Sequence, residues 1–145
     1  MPVSVSVAVA PLTPSIMVDM EKVYADSPEF ESGAEAAQAL ADATRDGEAL
    51  YLGMFNGHNI SAVVVRGERE VRHMRFLCVH HATRGRGVAE RLIAEVRRLE
   101  QEAGTRWLEA DFNLAQEGVP EMLLDLGFIP HGDAGHYRAL IGADS

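Results

Sequence analysis

The sequence contains one cysteine, Cys78, so no disulfide can form within the chain. It also lacks any apolar run near the roughly 18 residues that a membrane-spanning helix needs. The first residues, MPVSVSVAVAPL, carry no basic region and alternate valine with serine, which is typical of a strand and not of a signal peptide. These absences predict a globular protein of a reducing cytoplasm, without a membrane span.

Basic residues are few and unevenly distributed. Thirteen lysines and arginines against 22 aspartates and glutamates give a formal net charge of −9, which argues against general nucleic-acid binding. Lys22 and Arg45 are the only cations among the first fifty residues, whereas nine arginines lie between residues 66 and 98. An acidic chain with an arginine-rich centre predicts that a small anionic ligand binds there.

The length of 145 residues, of which 47% are hydrophobic, predicts a single domain over residues 1–145 with a buried core. The spacing of hydrophobic and turn residues predicts the element order β-α-α-β-β-β-α-β-α-β-β. Thr13-Pro14 is typical of a helix start, Asn56-Gly57 predicts a hairpin, and a second turn is predicted at Gly67-Glu68. The predicted fold class is α/β (α+β), with a mixed, mostly antiparallel central sheet and flanking helices.

Residues 80–93, HHATRGRGVAERLI, join a predicted strand to a predicted amphipathic helix. Gly85 and Gly87 alternate there with Arg84 and Arg86. Glycines let the backbone approach a phosphate and adopt positive φ, and a helix N-terminus offers unpaired N–H groups. Arginines add charge-assisted contacts. The stretch therefore predicts a phosphate site, and the alternative is a solvated turn with two arginines by chance.

Two common phosphate-binding motifs do not fit this loop. A P-loop requires a lysine and then Ser or Thr after its last glycine, whereas Val88 follows Gly87. The dinucleotide motif GxGxxG has Glu90 in place of its third glycine, and it belongs in the first βα turn of a longer parallel sheet.

A third motif does fit. Residues Leu77 to Val79, followed by Arg84 to Ala89 (RGRGVA), resemble motif A of the GNAT acyltransferases, whose core is Arg/Gln-x-x-Gly-x-Gly/Ala after a strand. Leu126-Gly127-Phe128 and the predicted element order also agree with that family, so the resemblance covers nearly the whole chain. It implies a GNAT fold with splayed middle strands, and acetyl-CoA as the ligand.

The resemblance also implies which residues bind coenzyme A. The loop amides would hold its pyrophosphate, the main chain of the preceding strand would pair with its pantetheine, and the asparagine before the family's usual helix is present. The implied residues are Leu77, Cys78, Val79, Arg84, Gly85, Arg86, Gly87, Val88, Ala89 and Asn113.

The family's usual proton donor is absent. In GNAT enzymes a tyrosine five residues before the Phe of Leu-Gly-Phe commonly protonates the departing thiolate, and Leu123 stands at that position. Tyr137 and Tyr51 are the candidate replacements, and a packed ring without a catalytic role is the alternative for each. A thiolate whose pKa is about 8.5 also departs unaided more readily than an alkoxide.

Three side chains on the predicted central strands are candidates for a general base: His73, Glu109 and Asp111. Strand alternation predicts that His73 shares a face with Leu77 and Val79. Histidine is the side chain that ordinarily exchanges protons near neutral pH. The alternative is a partly exposed histidine without a role.

No metal cofactor and no cysteine nucleophile are predicted. His80 and His81 are adjacent, so their side chains are expected to point in opposite directions, and no third ligand stands at a suitable spacing. Cys78 lies in an apolar strand, which favours a buried, inert thiol.

Two functions remain open. The first, which we favour, is an N-acetyltransferase that acts on an amine of a small molecule or peptide, as a monomer or homodimer. The second is a non-catalytic acetyl-CoA sensor that regulates a partner protein. The sequence is similar to the PanZ-type factors, which bind acetyl-CoA and control aspartate decarboxylase maturation. The similarity lies in Arg86-Gly87-Val88, in the segment MEKVYADSP and in the apolar residue at Leu123.

Overall fold

Seven strands form one sheet in the order β1-β2-β3-β4-β5-β7-β6 in the computed structural model, which describes residues 2–112 and 118–142. The predicted element order and the mixed, mostly antiparallel sheet are confirmed, because only β4 and β5 are parallel neighbours. The strands are β1 (Ser4–Ala8), β2 (Ala49–Phe55), β3 (His58–Glu68), β4 (Val71–Val79), β5 (Trp107–Asp111), β6 (Ile129–Pro130) and β7 (His136–Leu140). The helices are α1 (Pro14–Val23), α2 (Gly33–Arg45), α3 (Val88–Glu102) and α4 (Val119–Asp125).

The helices divide the core into two layers. Helices α1 and α2 cover one face of the sheet over β2, β3 and the end of β4. Helices α3 and α4 cover the other face, where Leu92, Ile93 and Val96 of α3 are fully buried. In the described part of the chain no helix is long and apolar enough to cross a membrane.

Local signals placed most element boundaries correctly, with one exception. Thr13 caps α1 by accepting a hydrogen bond from the Ile16 amide at 3.2 Å, and the predicted Asn56-Gly57 hairpin is confirmed. The turn predicted at Gly67-Glu68 is wrong, because both residues belong to β3 and pair with β4. Gly67 has φ +114°, and a Cβ there would lie 2.7 Å from the Val71 carbonyl oxygen. This glycine therefore allows a close approach of two strands.

Strands β4 and β5 separate after a short paired stretch. Their ladder runs from Val71 and Trp107 to Met74 and Ala110. Strand β4 then continues to Val79, paired with β3 alone. The predicted splaying of the middle strands is therefore present, and it begins one residue before a bulge in β4.

The bulge lies at Phe76 and Leu77, which together oppose Val63 of β3. Phe76 has φ +59°, an uncommon conformation for a bulky residue. The Tyr24 hydroxyl at the end of α1 donates a hydrogen bond to the Phe76 carbonyl at 2.5 Å. Helix α1 thus holds β4 at the point where it leaves β5.

The bulge also changes which side chains share a face. Leu77 packs in the core under α3, whereas Cys78 packs under α1 and α2. His73 lies on the Cys78 side, so the prediction that it shares a face with Leu77 and Val79 is wrong. One extra residue in a strand reverses the alternation of every residue beyond it.

A buried carboxylate fixes the C-terminal end of α3. Glu100 is 1% exposed and accepts hydrogen bonds from the Tyr51 hydroxyl at 2.5 Å, Arg72 Nε at 2.6 Å and the Thr105 hydroxyl at 2.8 Å. Arg69 adds a fourth contact at 3.3 Å. These bonds attach α3 to β2 and β4.

We expect Glu100→Gln to lower the free energy of unfolding by about 3 kcal/mol, because it leaves the Arg72 guanidinium, whose side chain is only 12% exposed, without a countercharge. Urea denaturation measures this change. Glu102→Gln is the control, since its side chain is 63% exposed and pairs with Arg98 at the surface. That variant should lose less than about 0.5 kcal/mol. Equal losses in the two variants would contradict a structural role for the buried network.

Candidate functional site

A pocket of about 690 Å³ lies beside the end of β4, beyond the stretch that pairs with β5. Its walls come from the α1–α2 connection, the end of β4, the start of α3 and the start of α4. The lining residues are Asp26, Ser27, Pro28, Cys78, Val79, Thr83, Arg84, Gly85, Gly87, Val88, Ala89, Glu90, Gly118, Val119 and Met122.

Most of the residues implied to bind coenzyme A meet at this pocket. Seven of them line it: Cys78, Val79, Arg84, Gly85, Gly87, Val88 and Ala89. Leu77 and Arg86 neighbour these residues in sequence but are not among the lining residues. Asn113 lies outside the described residues.

The loop before α3 leaves room for a ligand beside its backbone. Gly85 and Gly87 have φ +77° and +76°, and a Cβ built on either would meet nothing within 4 Å. Gly87 is the N-cap residue of α3 and provides no side-chain cap. The amides of Val88, Ala89 and Glu90 in the first turn therefore have no intrahelical acceptor, and their residues line the pocket. Such an arrangement suits an anion.

The sequence analysis predicted that Arg84 contacts a phosphate, whereas in the structure its guanidinium is paired within the protein. Its guanidinium donates two hydrogen bonds to the Asp26 carboxylate, at 2.6 and 2.8 Å, and a third to the Val79 carbonyl at 3.0 Å. The Arg84 hydrogen bond holds the pKa of Asp26 below its usual range. Arg84 thus joins the α1–α2 connection to the glycine loop, and both segments line the pocket.

The only thiol in the chain is buried at the pocket. Cys78 is 1% exposed, and its Sγ lies 3.2 Å from the Val23 carbonyl oxygen. Burial raises the pKa of this thiol to about 11. It is therefore protonated at neutral pH, which fits an inert side chain better than a nucleophile.

Beyond the pocket, the structure brings the three predicted base candidates together. His73 Nδ1 lies 3.2 Å from Glu109 Oε1 and 3.5 Å from Asp111 Oδ2. His136, which the sequence analysis did not single out, joins them with its Nδ1 2.6 Å from Asp111 Oδ1. The His73 side chain is 36% exposed, so a ligand can reach it. No local signal marked His136, because its place beside Asp111 depends on the register of β5 and β7.

The three tyrosines of the chain have different surroundings. The Tyr24 and Tyr51 hydroxyls donate to the Phe76 carbonyl and to Glu100, and burial raises both pKa values. Glu100 is twelve residues from the start of α3, which places Tyr51 roughly 18 Å along the helix from the glycine loop. Tyr137 packs against the α3 and α4 core, and within residues 2–112 and 118–142 its hydroxyl has no hydrogen bond.

Leu123 is fully buried in the same core that Tyr137 packs against. Val119 and Met122 of α4 line the pocket instead. Helix α4 therefore presents apolar side chains where the family usually has a phenol.

His80 and His81 stack on each other, with ring centroids 4.6 Å apart. The expectation that they point in opposite directions is wrong, because a 3₁₀ turn over His81–Thr83 follows β4 directly. His80 Nδ1 accepts a hydrogen bond from the Ala82 amide. Across the described ranges, no group of three or more His, Cys, Asp or Glu side chains is placed to hold a metal ion.

Three solved structures of acetyltransferases have a similar fold. The ribosomal-protein-S18-alanine N-acetyltransferase of Escherichia coli aligns with a TM-score of 0.79 at 10% identity, over 99% of this chain and 97% of the other. The phosphinothricin acetyltransferase of Sinorhizobium meliloti, in complex with AcCoA, aligns with a TM-score of 0.76 at 18% identity, over 98% and 90%. The GNAT family N-acetyltransferase YhbS of Escherichia coli, in complex with CoA, aligns with a TM-score of 0.71 at 20% identity, over 98% and 82%.

Sequence comparison identifies the family. No curated protein sequence matches the chain significantly. The family model described as "Acetyltransferase (GNAT) domain, PanZ" matches residues 4–134. The chain therefore belongs to the GNAT acetyltransferases, in the family of the PanZ domain.

Proposed function

We propose that this protein binds acetyl-CoA in the pocket and transfers the acetyl group to an amine of a small molecule or peptide. One observation carries the proposal. Two left-handed glycines with open space beside them precede an uncapped helix N-terminus, and this loop faces a pocket that reaches the separated part of β4. The likeness to structures that contain AcCoA or CoA supports the same ligand.

The pocket fits coenzyme A in charge and size. The amides from Gly85 to Ala89 would hold the pyrophosphate, because the glycines leave no Cβ in its way. Pantetheine would lie in the gap between β4 and β5, beside Cys78 and Val79. The volume lies within the usual range of roughly 300–1,000 Å³ for small-molecule sites. Acetyl-CoA would supply an acetyl group activated as a thioester.

His73 is the proposed general base. An alkyl amine has a pKa of about 10.4 and must lose a proton before it attacks a carbonyl carbon. Glu109 and Asp111 lie within 3.5 Å of Nδ1, so they orient the ring and stabilise the imidazolium that forms when it takes that proton. Glu109 therefore acts with His73 and not as a separate base.

Tyr137 is the proposed proton donor to the departing thiolate. The other two tyrosine hydroxyls are engaged in buried hydrogen bonds. Tyr137 packs against the core that contains Leu123, the position where the family's usual donor stands.

A second candidate function is a non-catalytic acetyl-CoA sensor. The family match to the PanZ domain and the buried Leu123 favour it. Acetyl-CoA bound at the glycine loop would act on the α1–α2 connection through the Asp26–Arg84 ion pair, and a partner protein would recognise the resulting surface.

Gly87→Asp should abolish acetyl-CoA binding, because it places a Cβ and a carboxylate where the pyrophosphate would lie. Isothermal titration calorimetry measures the affinity. Gly104→Asp is a matched control, since Gly104 follows the other end of α3, has φ +94° and also has nothing within 4 Å of a built Cβ. Both variants strain a left-handed backbone, but only Gly87→Asp should lose binding. Unchanged binding by Gly87→Asp would show that the loop is only a turn.

His73→Gln should lower kcat by about 10²-fold or more without changing the affinity for acetyl-CoA, because it removes the base and leaves the pocket intact. Thiol release from acetyl-CoA over a panel of amines measures kcat. The control is His58→Gln at the β2–β3 hairpin, which should keep full activity.

Tyr137→Phe in the same assay should slow release about tenfold, a smaller effect because a thiolate also departs unaided. A chain that binds acetyl-CoA but releases no thiol with any amine would overturn the enzyme proposal. Acetyl-CoA-dependent capture of a partner by that chain would then assign the sensor function.

A further inference from the structure

Helices α1 and α2 cover one side of the sheet as far as β4, and no described helix covers the same side of β5, β7 and β6. We call this side of β5, β7 and β6 the open face. Register places its side chains together, since directly paired residues point to the same side of a sheet. Two of its apolar residues are largely exposed, Ile129 at 58% and Leu140 at 45%. The open face consists of Trp107, Glu109, Asp111, Ile129, His136, Arg138 and Leu140.

Arg138 lies on the open face, and no carboxylate within residues 2–112 and 118–142 pairs with its guanidinium. Its guanidinium carbon lies 4.0 Å from the centre of the Trp107 ring. Its Nε is buried and makes no hydrogen bond with any described residue. Glu109, opposite Arg138 in the ladder, contacts His73 instead. An arginine that stacks on an aromatic ring, and whose terminal nitrogens bond to no described residue, is arranged to bind a planar anion such as a carboxylate.

The positions of His73 and Trp107 in the sheet give the distance between the proposed site of the acceptor amine and the Arg138 guanidinium. His73 is level with Glu109, and Trp107 precedes Glu109 by two residues at the start of β5. Trp107 is two residues from Glu109 and four from Asp111. At about 3.3 Å per residue, the distance along the strand from Trp107 to these two carboxylates is roughly 7–13 Å. An extended peptide covers about 3.3–3.6 Å per residue, so a tripeptide bridges this distance.

We propose that Arg138 selects acceptors that carry an anionic group about 7–13 Å from the reactive amine, as in a short peptide with a free carboxylate. The amine would lie at His73 and Asp111, and the carboxylate at Arg138 on the Trp107 ring. This inference rests on the proposed function, because it assumes that the acceptor amine lies at His73. It assigns a substrate class to the same site and a specificity-determining role to Arg138.

Trp107 is the only tryptophan in the chain, so its fluorescence reports directly on this position. The experiment titrates the CoA-bound protein with triglycine and with triglycinamide, which differ in the carboxylate. Triglycine should bind about tenfold more tightly, the effect of one charge-assisted hydrogen-bond pair. Glycine and glycinamide should show no such difference, because glycine is too short to reach both groups.

Variants separate Arg138 from the general charge of the open face. Arg138→Gln should remove the preference for triglycine, and Arg138→Lys should restore part of it. Arg66→Gln is the control, since Arg66 is an exposed arginine opposite His73 that does not stack on Trp107. It should keep the preference within about twofold, as expected for an exposed charge.

The proposal would be overturned by equal affinity for triglycine and triglycinamide. It would also be overturned if neither peptide changed the fluorescence at 10 mM, which is about a hundred times a typical KM near 0.1 mM. Thiol release with both peptides at equal kcat/KM would also overturn it, while the acetyltransferase function would stand. Selective binding of triglycine without any thiol release would instead keep Arg138 as a recognition residue and remove the catalytic role.

Discussion

The separation of β4 from β5 after four paired residues is the constraint on which both sides of the site depend. Hydrogen bonding between the strands ends at Met74 and Ala110, and β4 continues beside β3 alone. A gap between parallel strands is stable only if something else holds their backbones. On β4 this support comes from the β3 ladder and from the Tyr24 hydroxyl at the end of α1. This hydroxyl donates a hydrogen bond to the Phe76 carbonyl in the bulge. Cys78 and Val79, in the part of β4 that has left β5, line the pocket.

The glycine loop and the His73 cluster approach the separated strands from different sides of the sheet. The glycine loop follows β4 and leads into α3, so main-chain amides reach the pocket from one side. The His73 cluster lies on the opposite side of the strand from Leu77, because the bulge reverses the alternation. An acyl donor held in the gap and an acceptor on the open face would therefore approach each other from different directions.

The arginine-rich centre of the sequence supplies ion pairs within the protein, which the sequence analysis did not predict. Most of these arginines neutralise carboxylates within the protein: Arg69 and Arg72 with Glu100, Arg75 with Glu48, Arg84 with Asp26, and Arg98 with Glu95 and Glu102. At the glycine loop, the first-turn amides of Val88, Ala89 and Glu90 line the pocket. Charge counting along a sequence cannot separate these roles, since the partner carboxylates lie up to 58 residues away.

The local sequence predicted the element order, the α1 cap, the Asn56-Gly57 hairpin and the glycine loop, because each of these features depends on neighbouring residues. It could not locate the Phe76 bulge, since a phenylalanine with positive φ has no local signal and depends on Tyr24 and β3. It also did not single out Asp26, which lines the pocket, or His136 and Arg138, which lie beside Asp111 and Glu109. Their positions follow from strand register and loop contacts, which only the folded chain determines.

The central claim is that the gap between β4 and β5 and the adjoining glycine loop hold acetyl-CoA. An amide ¹H–¹⁵N NMR titration with acetyl-CoA tests it most directly, because it reports on each backbone N–H. The account predicts the largest shifts at Gly85, Gly87, Val88 and Ala89, with further shifts at Cys78 and Val79. Shifts confined to other parts of the chain, or none at saturating acetyl-CoA, would contradict it.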